Sequence, residues 1–200
     1  MHDEGRLIAF EGLDQSGKQT QCERLRARLE AAGRRVEIVE FPDYATPISL
    51  EIERALRGEY DYPADVLQLL YVANRYEFRP RLEAWLRTGV VVLCDRYAAS
   101  SLAYGAAQGL ERDWLDDVQR FLPRPALTLL LDIGPEIALS RKAVARDRFE
   151  RDLPLLSRVR SVYLDLAARD DSWVVIAGDR PVDEVTLAVA EAVQGRLGLP

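Results

Sequence analysis

The sequence predicts an α/β fold in three layers, α/β/α: a five-stranded, mostly parallel sheet flanked by helices. Two observations carry this expectation. Short apolar, β-rich runs alternate with longer helical patterns along the whole chain, as they do where successive βαβ units bury their strands on both faces. The length of 200 residues, 48% hydrophobic and 30% charged, suits a single domain with a full core and excludes a disordered chain.

The first strand run, Leu7–Glu11, leads through a glycine-rich turn into a helical pattern, Lys18–Ala32, that Gly33 closes. Val36–Phe41 is the second strand. Pro47–Leu56 follows as a helix with proline at its first position and Gly58 at its end. Pro63–Arg87, closed by Gly89, is the longest pattern, and Pro80 inside it predicts a kink or a split, because proline lacks the N–H and crowds the preceding turn. Val90–Asp95 is the third strand, followed by helices Ser100–Ala107 and Arg112–Leu122. Leu127–Asp132 is the fourth strand, Pro135–Ala143 begins a helix, and Leu153–Ala168 is another. Trp173–Ala177 supplies the fifth strand and Val182–Leu197 the last helix. No repeat or linker interrupts this order, so residues 1–200 read as one domain with a short lid segment at about 141–151.

Composition narrows the chemistry. Basic residues number 27 against 33 acidic ones, a formal charge of -6 with a pI near 5.0, which argues against a nucleic-acid or anionic-membrane surface. An anionic ligand must then be held by a local group of cations. His2 is the sole histidine and sits at the terminus, which removes histidine triads, proton shuttles and His-ligated zinc from consideration. Cys22 and Cys94 lie in apolar patterns without metal-ligand spacing and read as buried, reduced thiols. Met1–Gly5 is acidic and polar rather than a basic leader, and no apolar run reaches the ~18–20 residues of a membrane span. A cytoplasmic protein without a membrane partner is expected.

Directly after the first strand, Gly12-Leu13-Asp14-Gln15-Ser16-Gly17-Lys18 fits G-x-x-x-x-G-K and opens a helix, the context of a P-loop. Its glycines let backbone N–H groups turn inward on phosphate oxygens, the helix N-terminus adds positive potential, and Lys18 brings a cation to the β/γ-phosphates of ATP. Gln19 stands where a Ser or Thr hydroxyl ordinarily reaches Mg²⁺. Thr20 is about 100° further round the helix and is expected to point elsewhere. The metal would then depend on the Gln19 amide, on water-linked carboxylates of other loops, or on a weakened site.

Three further constellations surround the loop. Asp95-Arg96-Tyr97 ends the third strand at the carboxyl edge of the sheet, where a carboxylate can hold metal-bound water and an arginine can clamp phosphate. Arg141-Lys142 through Arg151 carries five cations and two anions, either a solvated helix face or a lid that closes over a transferring phosphoryl group. Tyr71 and Arg75, four residues apart, share a helix face that could stack and hydrogen-bond a base, or could equally be core packing with a snorkelling arginine.

In order along the chain, Phe10-Glu11-Gly12-Leu13-Asp14 with Gly17-Lys18-Gln19-Thr20-Gln21, Phe41-Pro42-Asp43-Tyr44, Ala73-Asn74-Arg75, Asp95-Arg96-Tyr97 and Arg148-Phe149-Glu150 resemble the successive motifs of the thymidylate kinase family, P-loop nucleoside monophosphate kinases. The likeness covers nearly the whole chain. It implies the P-loop NTPase fold and phosphoryl transfer from ATP to dTMP, giving ADP and dTDP, with Mg²⁺ as cofactor and a homodimeric assembly. It further implies that Asp14 contacts the sugar 3′-hydroxyl, Arg96 the acceptor phosphate, Tyr71 the thymine face and Arg75 its exocyclic oxygen, with Phe41 nearby. Ser101 falls at a base-contacting position, and Tyr104 at the aromatic that favours deoxyribose. Gln15 and Ser16 supply no catalytic arginine, so the resemblance assigns that role to the lid: Arg141, Arg146 or Arg148. Asp14, Asp95 and Glu150 are the candidate metal carboxylates.

The chemistry is self-consistent. A monophosphate's second ionisation lies near ~6, so the attacking oxygen is already deprotonated at neutral pH and a chain without a usable histidine can run the transfer. A deoxynucleoside kinase would need a base, which Glu40 beside Phe41 could supply. A catalytically weak nucleotide-binding protein would suit Gln19. A GTPase switch is excluded, because with Lys18 and Lys142 as the only lysines no Asn-Lys-x-Asp motif exists.

Overall fold

The computed structural model describes residues 5–141 and 152–200. Its elements are β1 (Arg6–Glu11), α1 (Lys18–Ala31), β2 (Val36–Glu40), α2 (Pro47–Leu56), α3 (Ala64–Arg87), β3 (Val91–Asp95), α4 (Ala98–Ala107), α5 (Arg112–Asp117), β4 (Leu127–Asp132), α6 (Pro135–Arg141), α7 (Leu153–Ala167), β5 (Trp173–Ala177) and α8 (Val182–Leu197). The five strands form one sheet in the order β2-β3-β1-β4-β5, and every neighbouring pair is parallel.

Period-two alternation divides each strand between two cores. Ile8 and Phe10 of β1 join Val91 and Leu93 of β3 and Leu129 and Leu131 of β4 against α1 and α8, through Cys22, Leu25, Val189 and Val193. Leu7 and Ala9 point the other way with Val92 and Cys94, toward Leu82 and Trp85 of α3. On that same side Leu130 packs with Ala103 of α4 and Val159 and Tyr163 of α7. This is the expected three-layer arrangement. The two cysteines lie on opposite faces, both buried and free.

Helix starts follow local chemistry. Thr46 caps α2 by accepting from the Ser49 N–H, with Pro47 in the first turn, and Asp152 caps α7 by accepting from the Leu155 N–H at 2.9 Å. Two expectations change. Of the kink or split that Pro80 predicts, the split does not occur: α3 runs unsplit through 24 residues. Pro80 is exposed, so its ring lies on the solvent side of the helix rather than in the core. The helix expected over Arg112–Leu122 ends as α5 at Asp117 and continues as turns.

Candidate active site

The parallel register brings the site together. Phe10 lies opposite Asp95 across the β1–β3 ladder, so the loop leaving β1 and the loop leaving β3 emerge side by side at the carboxyl edge. Between them and the start of α8 lies a cleft of about 490 Å³, lined by residues 14–21 together with Glu40, Asp95, Arg96, Arg141 and Arg180.

The P-loop closes this cleft with backbone conformations that its sequence selects. Gly12 has φ +137° and Gly17 φ +96°, and Gln15 between them is also left-handed at φ 64°. A Cβ at Gly12 would sit 2.5 Å from the Leu131 carbonyl oxygen, so only glycine lets the loop pass this close to β4. No side chain caps α1 and no acidic residue occupies its first turn, which leaves its terminal N–H groups and positive potential directed at an anion. Lys18 is buried and bends back along the loop, donating to the Leu13 carbonyl at 3.0 Å and the Gly12 carbonyl at 3.4 Å. Burial, and then the neighbouring Arg96 charge, hold its ammonium below the ordinary lysine range, with Asp95 and Asp14 opposing. Gln19 and Thr20 are both exposed and both line the cleft, so the turn of helix between them does not carry Thr20 out of it.

Arg96 faces the loop from β3. Its NH2 donates to Asp14 at 2.7 Å and to the Tyr104 hydroxyl at 3.5 Å, and its NH1 donates to Ser100 Oγ at 3.2 Å. Burial works against this charge, but the Asp14 carboxylate more than offsets it and raises the guanidinium above its ordinary value. Arg96 is left-handed, φ 66°, a conformation that costs a non-glycine residue about 1–3 kcal/mol and persists only when its surroundings fix it. Glu40, across the cleft, has its carboxyl raised by burial and then by the Asp95 charge.

A second group sits behind Arg96. Arg75, 3% exposed on α3, donates NH1 to Ser101 Oγ at 2.8 Å and to Gln119 Oε1 at 3.2 Å, with its guanidinium carbon 6.0 Å from the Phe41 ring centroid. Its Nε is buried without a partner among the described residues. Burial lowers its guanidinium from the ordinary value, with Glu11 opposing. Tyr71, one turn earlier, is half-buried. Asn74 pins the loop after β2 by accepting from the Asp43 N–H at 2.8 Å and donating to the Asp43 carbonyl at 3.1 Å and Thr46 Oγ1 at 2.9 Å.

Of the sequence-derived candidates, the structure thus groups Asp14, Lys18, Asp95, Arg96 and Tyr104 around the cleft, and Phe41, Arg75 and Ser101 beside it. Arg141 lines the cleft beside the P-loop, donating to the Gln15 carbonyl at 3.1 Å and the Gly178 carbonyl at 3.0 Å. Arg146, Arg148 and Glu150, and the lid segment beyond Arg141, lie outside the described residues. Among the described residues no three acidic, histidine or cysteine side chains converge on a metal position, and Asp14 is turned to Arg96. Sequence reasoning missed Glu11, Ser100, Gln119 and Arg180. Glu11 alone carries a signal, a charged residue closing an otherwise apolar strand.

Comparison with known proteins agrees with this geometry. The thymidylate kinase family model matches residues 10–189. The chain is 35% identical to a thymidylate kinase of Arabidopsis thaliana over 94% of its own length and 71% of that protein's. It is 37% identical to one of Caulobacter vibrioides, covering 98% and 99% of the two chains. Among solved structures, a thymidylate kinase of Candida albicans superimposes with a TM-score of 0.86 at 29% identity, covering 96% of this chain and 92% of that one.

Proposed function

The chain belongs to the thymidylate kinase family and transfers the γ-phosphoryl group of ATP to dTMP, and from that premise we propose how its residues divide the work. ATP phosphates lie in the P-loop on the N-terminal N–H groups of α1, with Lys18 moving from the Leu13 carbonyl onto the β/γ oxygens. The dTMP phosphate binds Arg96, its thymine lies against Tyr71 and Phe41 within reach of Arg75, and Tyr104 fills the space a ribose 2′-hydroxyl would need. Asp14 contacts the sugar. Arg141 holds the donor side of the loop.

The observation that carries this division is the placement of Lys18 and Arg96 on opposite loops of one cleft, each a buried or half-buried cation whose partners among the described residues are backbone carbonyls, hydroxyls or a single carboxylate. Cations placed in this way stand ready to neutralise developing phosphoryl charge once they exchange these partners for phosphate oxygens, and the dTMP phosphate needs no base.

Mg²⁺ fits this donor set in one mode: bound mainly by phosphates and water with one or two carboxylates. Asp95 is placed for that role, and the Glu40 carboxyl, raised by burial and by Asp95, marks the excess negative charge a cation would relieve. A magnesium ion held there by Asp95 and water would supply charge neutralisation to the phosphate oxygens.

We further propose a cytoplasmic homodimer. Among the described residues no helix is long and apolar enough to cross a membrane. Val66 and Leu69 of α3, the latter 44% exposed, and Leu50 of α2, 56% exposed, form an apolar face suited to a second copy. The function is tested by following ADP formation from ATP with a panel of nucleoside monophosphates and nucleosides. Turnover with dTMP well above that with thymidine or ribonucleotides is expected, and preferential turnover of thymidine would overturn it.

A further inference from the structure

Glu11 closes β1, immediately before the first P-loop glycine, and is completely buried. A carboxylate survives in such a place only when donors surround it, and here there are four. Its Oε1 accepts from the Tyr97 N–H at 2.9 Å and the Ser100 N–H at 3.2 Å, and its Oε2 accepts from Ser100 Oγ at 2.7 Å and Tyr163 Oη at 2.8 Å. Tyr97 is the N-cap residue of α4 and has no side chain that caps the helix; Ser100 is the third residue inside it. The two N–H groups that a capping box would satisfy from within the helix are therefore both taken by a carboxylate from a different strand. The negative group also sits at the positive end of α4.

What this grip fixes is Arg96. The residue lies between β3 and the clamped N-terminus of α4, its own N–H donates to the Phe10 carbonyl at 2.9 Å, and its side chain donates to the same Ser100 hydroxyl that donates to Glu11. Its left-handed backbone is thus bounded by β1 on one side and by the Glu11-held turn on the other. We propose that Glu11 is a positioning residue for acceptor-phosphate binding: it fixes the Arg96 guanidinium relative to the P-loop that begins one residue after it, and through Tyr163 it ties that geometry to α7. The inference rests on the assignment of Arg96 to the dTMP phosphate. It concerns phosphate and not base, since the Glu11 contacts run to the turn carrying Arg96.

The test compares dTMP with thymidine, which lacks the phosphate. Titration calorimetry on the full chain measures both dissociation constants in the parent, Glu11→Gln, Tyr163→Phe and Arg96→Ala. In Glu11→Gln the amide nitrogen cannot accept, so one side of the clamp fails. Weakening of dTMP binding by roughly 10- to 100-fold is expected, with thymidine changed less than about twofold. Tyr163→Phe removes one donor and weakens dTMP by about 3-fold or more, again sparing thymidine. A purely structural role for Glu11 would weaken both ligands alike, and that result overturns the proposal. Should Glu11→Gln not fold, Tyr163→Phe decides alone, and unchanged dTMP affinity there overturns it too. Arg96→Ala separates the two levels: if it leaves the difference between dTMP and thymidine intact, the assignment of Arg96 is wrong. If it abolishes that difference while the Glu11 and Tyr163 variants do not, only the present inference fails.

Discussion

Replacing Gly12 by alanine tests how tightly the P-loop is fitted to the sheet. The added Cβ would lie 2.5 Å from the Leu131 carbonyl oxygen, 0.9 Å short of the 3.4 Å at which ordinary contact begins. That carbonyl cannot step aside, because Leu131 is fully buried in β4, paired in register with Ile176 of β5 and next to the Leu130–Glu11 pairing with β1. The loop must therefore lift. Two penalties add: overpacking of about 1–3 kcal/mol and a φ of +137° that costs a residue with a Cβ about 1–3 kcal/mol. For a chain of this size the expected loss of roughly 2–6 kcal/mol lowers the unfolding temperature by about 4–24 °C. Displacement of the loop by nearly an ångström also misplaces the transferring phosphate, for which a fall in kcat/KM of about 100-fold is expected. Gly33→Ala is the control, with φ +78° but nothing within 4 Å of the added carbon, and it should lose about 1 kcal/mol with kinetics unchanged. Calorimetric unfolding and coupled ADP release measure both. A Gly12→Ala protein as stable as Gly33→Ala and near normal in kcat/KM would refute the close fit.

Arg75→Ala should raise KM for dTMP by roughly 10- to 100-fold and leave KM for ATP nearly unchanged, because its contacts lie wholly on the Ser101 and Gln119 side; equal effects on both substrates would make it a structural residue. Leu69→Glu should convert the proposed dimer to a monomer in sedimentation velocity at micromolar concentration, and an unchanged sedimentation coefficient would refute that interface. Lys18→Met should lower turnover about 100- to 1000-fold while leaving the unfolding temperature at or above the parent's at neutral pH. Burial, and then Arg96, depress the folded-state pKa of Lys18 below its unfolded value, so its charged form disfavours the fold until pH rises through that window toward ~10.4. The stability gap between variant and parent should therefore close between neutral and alkaline pH, and a gap constant with pH would show that Lys18 is not held against desolvation.

The elements were legible wherever a local signal decides them. All five strands appear within one or two residues of their apolar runs, and the helix stops at Gly33 and Gly89 are left-handed as the pattern requires. The unsplit α3 was not legible, since whether Pro80 splits a helix depends on whether its ring lies on the solvent side, a tertiary fact. The site divides along the same line. Lys18 and the P-loop could be read because loop and helix dipole act within seven consecutive residues. Glu11 and Gln119 could not, because their meaning lies in partners 152 and 44 residues away, and nothing in a strand-terminal Glu or a turn Gln points to a particular helix end or guanidinium.

Charge explains how a chain of net charge -6 takes two polyanions as substrates. The overall field repels nucleotides, so attraction must come from cations whose own partners are weaker than phosphate. Lys18 is held by two carbonyls, Arg75 by a hydroxyl and an amide, and Arg96 by one carboxylate and two hydroxyls. Lys18 and Arg96 can each exchange a neutral or monovalent acceptor for a more highly charged one, and the burial that lowers the Lys18 pKa favours that exchange for its ammonium. In the proposed division of roles, Asp14 would become available to the sugar when phosphate takes its place on Arg96. Binding of the acceptor phosphate would on that proposal be coupled to recognition of its deoxyribose through one 2.7 Å ion pair, with neither a histidine nor a general base required.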